Sequence, residues 1–172
     1  MAFVNWYEAN AFCSWLNTKF PRTDGWRWHL PNQLQWEKAA RGGMTIEDGK
    51  INENNTRKYP WGSDEKADSC DIWKVSRFSS EPFPVGCFPQ GRGAYGTYDQ
   101  AGSVWEWCMD PREMDESEKT NSGLFDKKQA RIVKGGSWRG DIFVTRISYV
   151  DWVFPQRRLD DVGFRVIASA GE

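Results

Sequence analysis

Two stretches of the chain carry the 3.6-residue spacing of apolar positions that marks an amphipathic helix. In residues 5–17, NWYEANAFCSWLN, the positions Trp6, Ala9, Phe12, Cys13 and Leu16 fall on one face. Asn5 stands before them, and Glu8 three residues later completes a reciprocal capping box. In residues 32–41, NQLQWEKAAR, Trp36, Ala39 and Ala40 repeat the pattern. Pro31 precedes this second helix, Asn32 caps it with Gln35 returning the bond, and Gly42-Gly43 ends it.

Beyond residue 43 the periodicity stops. Residues 44–58 are polar and aperiodic, and Tyr59-Pro60-Trp61-Gly62 reads as a turn with a packing ring. Residues 63–97 are rich in proline and glycine and leave room only for short strands, such as Phe83 to Cys87. Residues 110–130 are charged and irregular, as in a surface insertion. Arg131 to Trp138 predicts a strand closing on a Gly-Gly bend, and Gly163 to Ala168 predicts a final strand. Two helices, short antiparallel strands and long ordered loops make an α+β domain. Loops this long are usually functional or pinned.

At 172 residues the chain suits one domain. Hydrophobic residues make up 39% and charged residues 27%, as in a globular chain. The 23 basic and 24 acidic residues leave a net charge of −1, which argues against a nucleic-acid partner. No apolar run is long enough for a membrane helix and no leader pattern opens the chain, so no membrane association and a cytoplasmic location by default are expected. Eleven tryptophans raise aromatics to 15%; rings serve both cores and ligand surfaces, so position must sort them. The four cysteines form no C-x-x-C pair and His29 stands alone, which disfavours structural zinc. Cys13 reads as a small buried hydrophobe and His29 as a surface or packing residue. No Ser/His/Asp set can be assembled around His29 with any specificity.

In YDQAGSVWEWC at 98–108, Asp99 and Glu106 bracket a glycine-containing loop that can turn its carbonyls inward, as a calcium site requires. On spacing alone the plainer alternative stands beside it: Asp99 caps a turn and Glu106 meets an arginine. Trp105 and Trp107 alternate with Val104 and Glu106, as in a short extended stretch packed on one side.

Six words resemble, in order, the formylglycine-generating-enzyme and sulfatase-modifying-factor family: VNWYEANAFCSWL, WHLPNQLQWEKAARGG, YPWG, PVGCFPQGRGAYGTYDQAGSVWEWCMD, RIVKGGSW and VGFRV. The resemblance implies a C-type lectin-like fold with structural calcium as cofactor, held by the Asp99 side chain, the Gly102 and Val104 carbonyls and the Glu106 side chain. A second implied calcium site maps near Asp71 and Ile72, with its remaining ligands where the chain is shorter. The family's members usually carry strands before the first helix. The chain, one domain over 1–172, is therefore expected to lack that part or to receive it from a partner chain. Departures from the pattern are Gln33 and Gln35 in the second helix, Ser103 in place of asparagine, and Lys134 in place of arginine.

The family's oxidases hold copper with two cysteines, and the matching positions are Ile142 and Ile147. Isoleucine binds no copper. The iron-dependent sulfoxide synthases of the family need a histidine triad in a further helical domain, and this chain has one histidine. Neither copper nor iron is expected. The remaining chemistry lies in RGDIFVTRISYVDWVFPQRR at 139–158. Arg139, Asp141, Phe143, Arg146, Tyr149, Asp151, Trp152, Arg157 and Arg158 form the candidate ligand-binding set, because Arg, Tyr and Trp dominate binding hot spots. The plainer reading makes Ile142, Val144 and Ile147 core and pairs Arg146 and Asp151 in ordinary ion pairs. The Arg-Gly-Asp at 139–141 carries little weight by itself. The resemblance implies a binding module for a protein or small-molecule ligand. One family branch, the variable proteins of diversity-generating retroelements, diversifies this same segment. The alternative it implies is an oxidoreductase component completed by a missing segment or partner.

Overall fold

The structure, a computed structural model, describes residues 2–46, 49–76, 81–113 and 130–170. Helix α1 (Trp6–Lys19) begins at the Asn5–Glu8 capping box, with the Asn5 side chain accepting from the Glu8 amide at 2.9 Å. Helix α2 (Gln33–Arg41) repeats the device with Asn32 and Gln35, and Gly42 at φ 82° stops it. Both helices stand where the spacing predicts. Strands β1 (Trp26–His29) and β6 (Ile167–Ala170) form an antiparallel pair. Strands β2 (Trp105–Pro111), β3 (Arg131–Lys134), β4 (Asp151–Val153) and β5 (Val162–Gly163) form a second sheet in the order β4-β3-β2-β5. This arrangement is α+β.

Strand β2 is the centre. Trp107 packs with Trp6, Ala9 and Cys13 of α1, together with Leu30, Val133 and Val162. Its neighbour Cys108 packs with Trp36 and Ala40 of α2, together with Ile132 and Ile147. Successive side chains of a strand point to opposite faces, so β2 is sandwiched between the two helices. Burial raises the Cys13 thiol to about 11 and pushes the Cys108 thiol up as well, which suits inert packing groups.

Several local expectations shift. Phe83 to Cys87 forms no strand: Pro82 and Pro84 lack backbone donors, and Gly86 turns the chain at φ 79°. The strand from Arg131 stops at Lys134, because Gly135 and Gly136 both take positive φ. The last predicted strand divides into β5 and β6 around Phe164–Val166. Phe12 of α1 is exposed, and Leu16 and Ala39 are only half-buried. In the expected 110–130 insertion, β2 runs on through Pro111, and residues 114–129 lie outside the described ones. No helix among the described residues is long and apolar enough to cross a membrane.

Candidate functional site

The loop leading into β2 is fastened from three sides. Gly102 docks against the Asp71–Ile72 backbone, where a Cβ would sit 2.0 Å from the Asp71 carbonyl oxygen. Ser103 donates its amide to that carbonyl at 2.8 Å and accepts the Trp138 amide at 2.9 Å. Asp99, at φ 56°, accepts the Gly86 amide at 2.8 Å. Glu106, 5% exposed, is held by the Arg165 guanidinium in two bonds of 2.5 and 2.6 Å and by the Trp36 indole at 2.6 Å. Arg165 also donates to the carbonyls of Tyr98 and Asp99 at 3.1 and 3.2 Å. Burial opposes the guanidinium's charge, yet the Glu106 carboxylate keeps the Arg165 pKa above its ordinary value. Asp99 thus caps a turn and Glu106 meets an arginine, as the plainer reading of the loop had it.

Some acceptor capacity in the loop stays unused. A carboxylate offers about four lone-pair sites, and Glu106 spends three of them here. Among the described residues no hydrogen bond ends on the Gly102 or Val104 carbonyl or on Asp99 Oδ1. Asp71, near the second implied site, is buried and accepts the Phe83 amide at 2.8 Å. No cluster of three or more His, Cys, Asp or Glu side chains suited to a metal occurs among the described residues.

Beneath the loop, Lys134 is wholly buried, with its ammonium 2.8 Å from Glu37 and 5.5 Å from the centre of the Trp36 ring. Burial lowers its pKa, and the hydrogen bond to Glu37 resists that shift. Arg41 joins Glu37 from the next turn of α2 at 3.5 Å.

Segment 139–158 distributes its nine candidate side chains over several places. Asp141 caps a short 3₁₀ turn (Ile142–Thr145) by accepting the Phe143 and Val144 amides. The Phe143 ring, 48% exposed, meets Tyr149 edge-on at 5.6 Å, and Tyr149 in turn faces Trp105 at 6.0 Å. The Arg146 guanidinium lies 4.3 Å over Phe143, donates to the Tyr59 hydroxyl at 3.4 Å and meets Glu65 at 3.5 Å. Phe143, Arg146 and Tyr149 therefore form one patch, into which the fold brings Tyr59, Glu65 and Trp105.

Of the other six residues, Asp141 touches the patch only through the Phe143 amide, and the remaining five do not join it by contact. Asp151 opens β4 and accepts the Trp152 amide at 2.8 Å. Trp152 packs on Phe154 and under Arg112, beside a cavity of 610 Å³ that Gln33, Asp110 and Ile132 also line. Arg139 lies over Trp138 and pairs with Asp160. Arg157 is exposed, and Arg158 grips Glu8 of α1 at 2.6 and 3.0 Å. At the positions matching the copper-binding cysteines, Ile147 is core beside Trp36, and Ile142 is half-buried against Cys70, Ile72 and Ala101. His29 packs between the Leu30 carbonyl and the Ser169 hydroxyl. No local spacing signals Tyr59, Glu65 or Trp105 as site residues, since they lie 44 to 87 positions away from their partners.

A short mixed sheet, two capped helices and long pinned loops around a central strand define a C-type lectin-like domain of the formylglycine-generating type. Comparison makes the family definite: residues 1–170 match the sulfatase-modifying factor enzyme 1-like domain, and the chain belongs to that family. Hercynine oxygenase of Mycobacterium tuberculosis is 28% identical over 168 residues, covering 95% of this chain and 35% of its own length. The inactive C-alpha-formylglycine-generating enzyme 2 of Mus musculus is 28% identical over 182 residues, covering 98% of this chain and 48% of its own. The chain thus spans about a third to a half of the curated relatives it matches. In fold, Treponema denticola variable protein 1 superposes with a TM-score of 0.70 at 22% identity, over 99% of this chain and 71% of that one.

Proposed function

We propose that this domain is a non-catalytic binding module for a protein or small-molecule ligand, with its contact surface centred on Phe143, Arg146 and Tyr149. The observation that carries the reading is the state of Arg146. Its guanidinium rests on an exposed ring, donates to the Tyr59 hydroxyl at 3.4 Å, and has its carboxylate partner in Glu65, at 3.5 Å with a side chain 60% exposed. A planar cation on an aromatic face with a displaceable counterion suits a contact residue. Arg139, Asp141, Asp151, Trp152, Arg157 and Arg158 form the surrounding rim. The fixed words GGSW and GFRV bracket the segment, and the fold is one that a variable protein also has. Display of changing side chains on a constant backbone, as in diversity-generating retroelements, is the form this reading takes.

Calcium belongs to the same proposal as a structural ion, on Asp99 Oδ1, the Gly102 and Val104 carbonyls and the remaining Glu106 lone pair. Bound there, it would add a charge that ties the loop ends together. Peptide and glycan arrays probed with the wild type and with the Phe143→Ala/Arg146→Ala/Tyr149→Ala triple variant test the surface. Binding that disappears in a folded triple variant supports the proposal, and binding that survives refutes it. A melting point that rises with calcium and falls with a chelator supports the ion.

A second reading, an oxidoreductase component completed by a partner chain, is favoured by one feature. Tyr7, Phe12 and Trp15 of α1, with Phe20 and Trp26, leave a broad aromatic face exposed. Such faces usually mark an interface. Metal analysis of the purified protein separates the readings, because stoichiometric copper or iron would defeat the first.

A further inference from the structure

The β1–β6 pair carries a group of residues that the binding surface leaves unused. Its antiparallel register sets Arg27 opposite Ser169 and His29 opposite Ile167, so Arg27, His29 and Ser169 project from one face. His29 Nδ1 lies 2.7 Å from the Leu30 carbonyl oxygen. A carbonyl oxygen only accepts, so Nδ1 carries the ring proton and Nε2 presents a lone pair. The Ser169 hydroxyl lies 2.7 Å from Nε2, closer than its 3.3 Å approach to the Ala170 carbonyl. The hydroxyl proton therefore points at the imidazole. A nucleophile, a base in hydrogen-bond reach of it, and a third group fixing the base's tautomer are the elements of an activated serine.

The surroundings suit a small acyl substrate. Ser169 and His29 are half-buried in the wall of a cavity of 390 Å³, with Arg27, Trp28, Asn32 and Gln35 also in its lining. Asn32 and Gln35 spend their side-chain oxygens on the α2 capping box. Their NH₂ groups remain as donors, and Arg27 adds a cation. The polar lining is thus weighted toward groups that stabilise developing negative charge.

We propose that Ser169 and His29 form a nucleophile–base dyad that transfers the acyl group of small carboxylic esters to water. Ser169 Oγ bonds to the acyl carbon as its proton passes to His29 Nε2. The ester C–O bond breaks, and the departing alkoxide takes that proton from Nε2. Water then attacks the acyl-serine while His29 accepts one of its protons. The carboxylic acid leaves and the serine is restored with the proton that Nε2 returns. No oxidant, reductant or metal enters the balance. This activity is independent of the Arg146 surface.

The test uses p-nitrophenyl acetate with the full chain, following release of p-nitrophenolate and mapping any trapped acetyl group by peptide mass spectrometry. General-base activation of this kind contributes about a hundredfold or more, so Ser169→Ala and His29→Gln should each lose most of the wild-type rate. The acetyl group should map to Ser169. Ser169 lies on an edge strand with its side chain half-exposed, so Ser169→Ala should melt as the wild type does. Should His29→Gln fail to fold, Ser169→Ala and the mapped acetyl group still decide. A wild-type rate no higher than that of Ser169→Ala, or acetyl found only on lysines, overturns the proposal.

Discussion

The same chemical pair, an arginine gripping a carboxylate, occurs in two regions of the molecule with opposite consequences. Arg165 and Glu106 meet at the base of the 98–106 loop, with side chains 20% and 7% exposed. Arg139 and Asp160 meet at the surface, both about half exposed, as do Arg158 and Glu8. In the first pair water is largely excluded, three further groups converge on the same charges, and loss of either partner strands the other. In the second region solvent screens the charges and neither partner depends on the other for solvation. The exposed side chains of 139–158, unlike the buried Thr145 and Ile147 or the Glu106 loop, should therefore tolerate change. That separation is what a binding surface on a fixed scaffold requires.

The largest expected break in this comparison is Arg165→Met, which leaves Glu106 buried without its counter-charge. It should cost about 3–5 kcal/mol, read as a lowered urea midpoint. Gly102→Ala comes next. Its φ of 73° and the 2.0 Å approach of a Cβ to the Asp71 carbonyl should cost about 3 kcal/mol, the sum of a strained backbone and a forced shift of the Asp71 backbone. Ser103 sharpens the same point with the opposite sign. It sits at φ 61°, where asparagine is better tolerated, so Ser103→Asn should raise stability by about 0.5–1 kcal/mol in the same assay.

The smallest effect belongs to the surface. The Arg158 hydrogen bond, with the Asn5 amide, holds the Glu8 carboxyl below the usual carboxylate range. A depressed acid contributes stability above its unfolded pKa, about 4.3 for glutamate, and loses it as pH falls through the folded value. The stability difference between wild type and Arg158→Ala should be small and constant above that range and should close in more acidic solution.

Much of this scaffold is legible in the sequence, because local signals set it. Both helix starts follow from Asn5–Glu8 and Asn32–Gln35, and the Gly135–Gly136 bend from two adjacent glycines. Strand β1 and the division of the last strand escape notice, since four residues of WRWH carry no clear alternation and only the pairing with 167–170 defines them. The same limit applies to the site. Arg, Phe and Tyr at 143–149 stand out by type, but Tyr59, Glu65 and Trp105 reach them only through tertiary folding. Arg165 sits in the quoted GFR word, yet nothing in its neighbours says that it answers Glu106, 59 residues earlier. Ser169 and His29 lie 140 positions apart and meet across a strand pair that the sequence does not announce.

The exposed face of 139–158 should be separable from the fold that carries it. Urea unfolding of an Arg139→Ser/Phe143→Ser/Arg157→Ser triple variant, side by side with Arg165→Met, tests it most directly. Three surface changes together should lower the midpoint less than the single change at Arg165, with an unchanged slope. A triple variant that unfolds as early as Arg165→Met would contradict it.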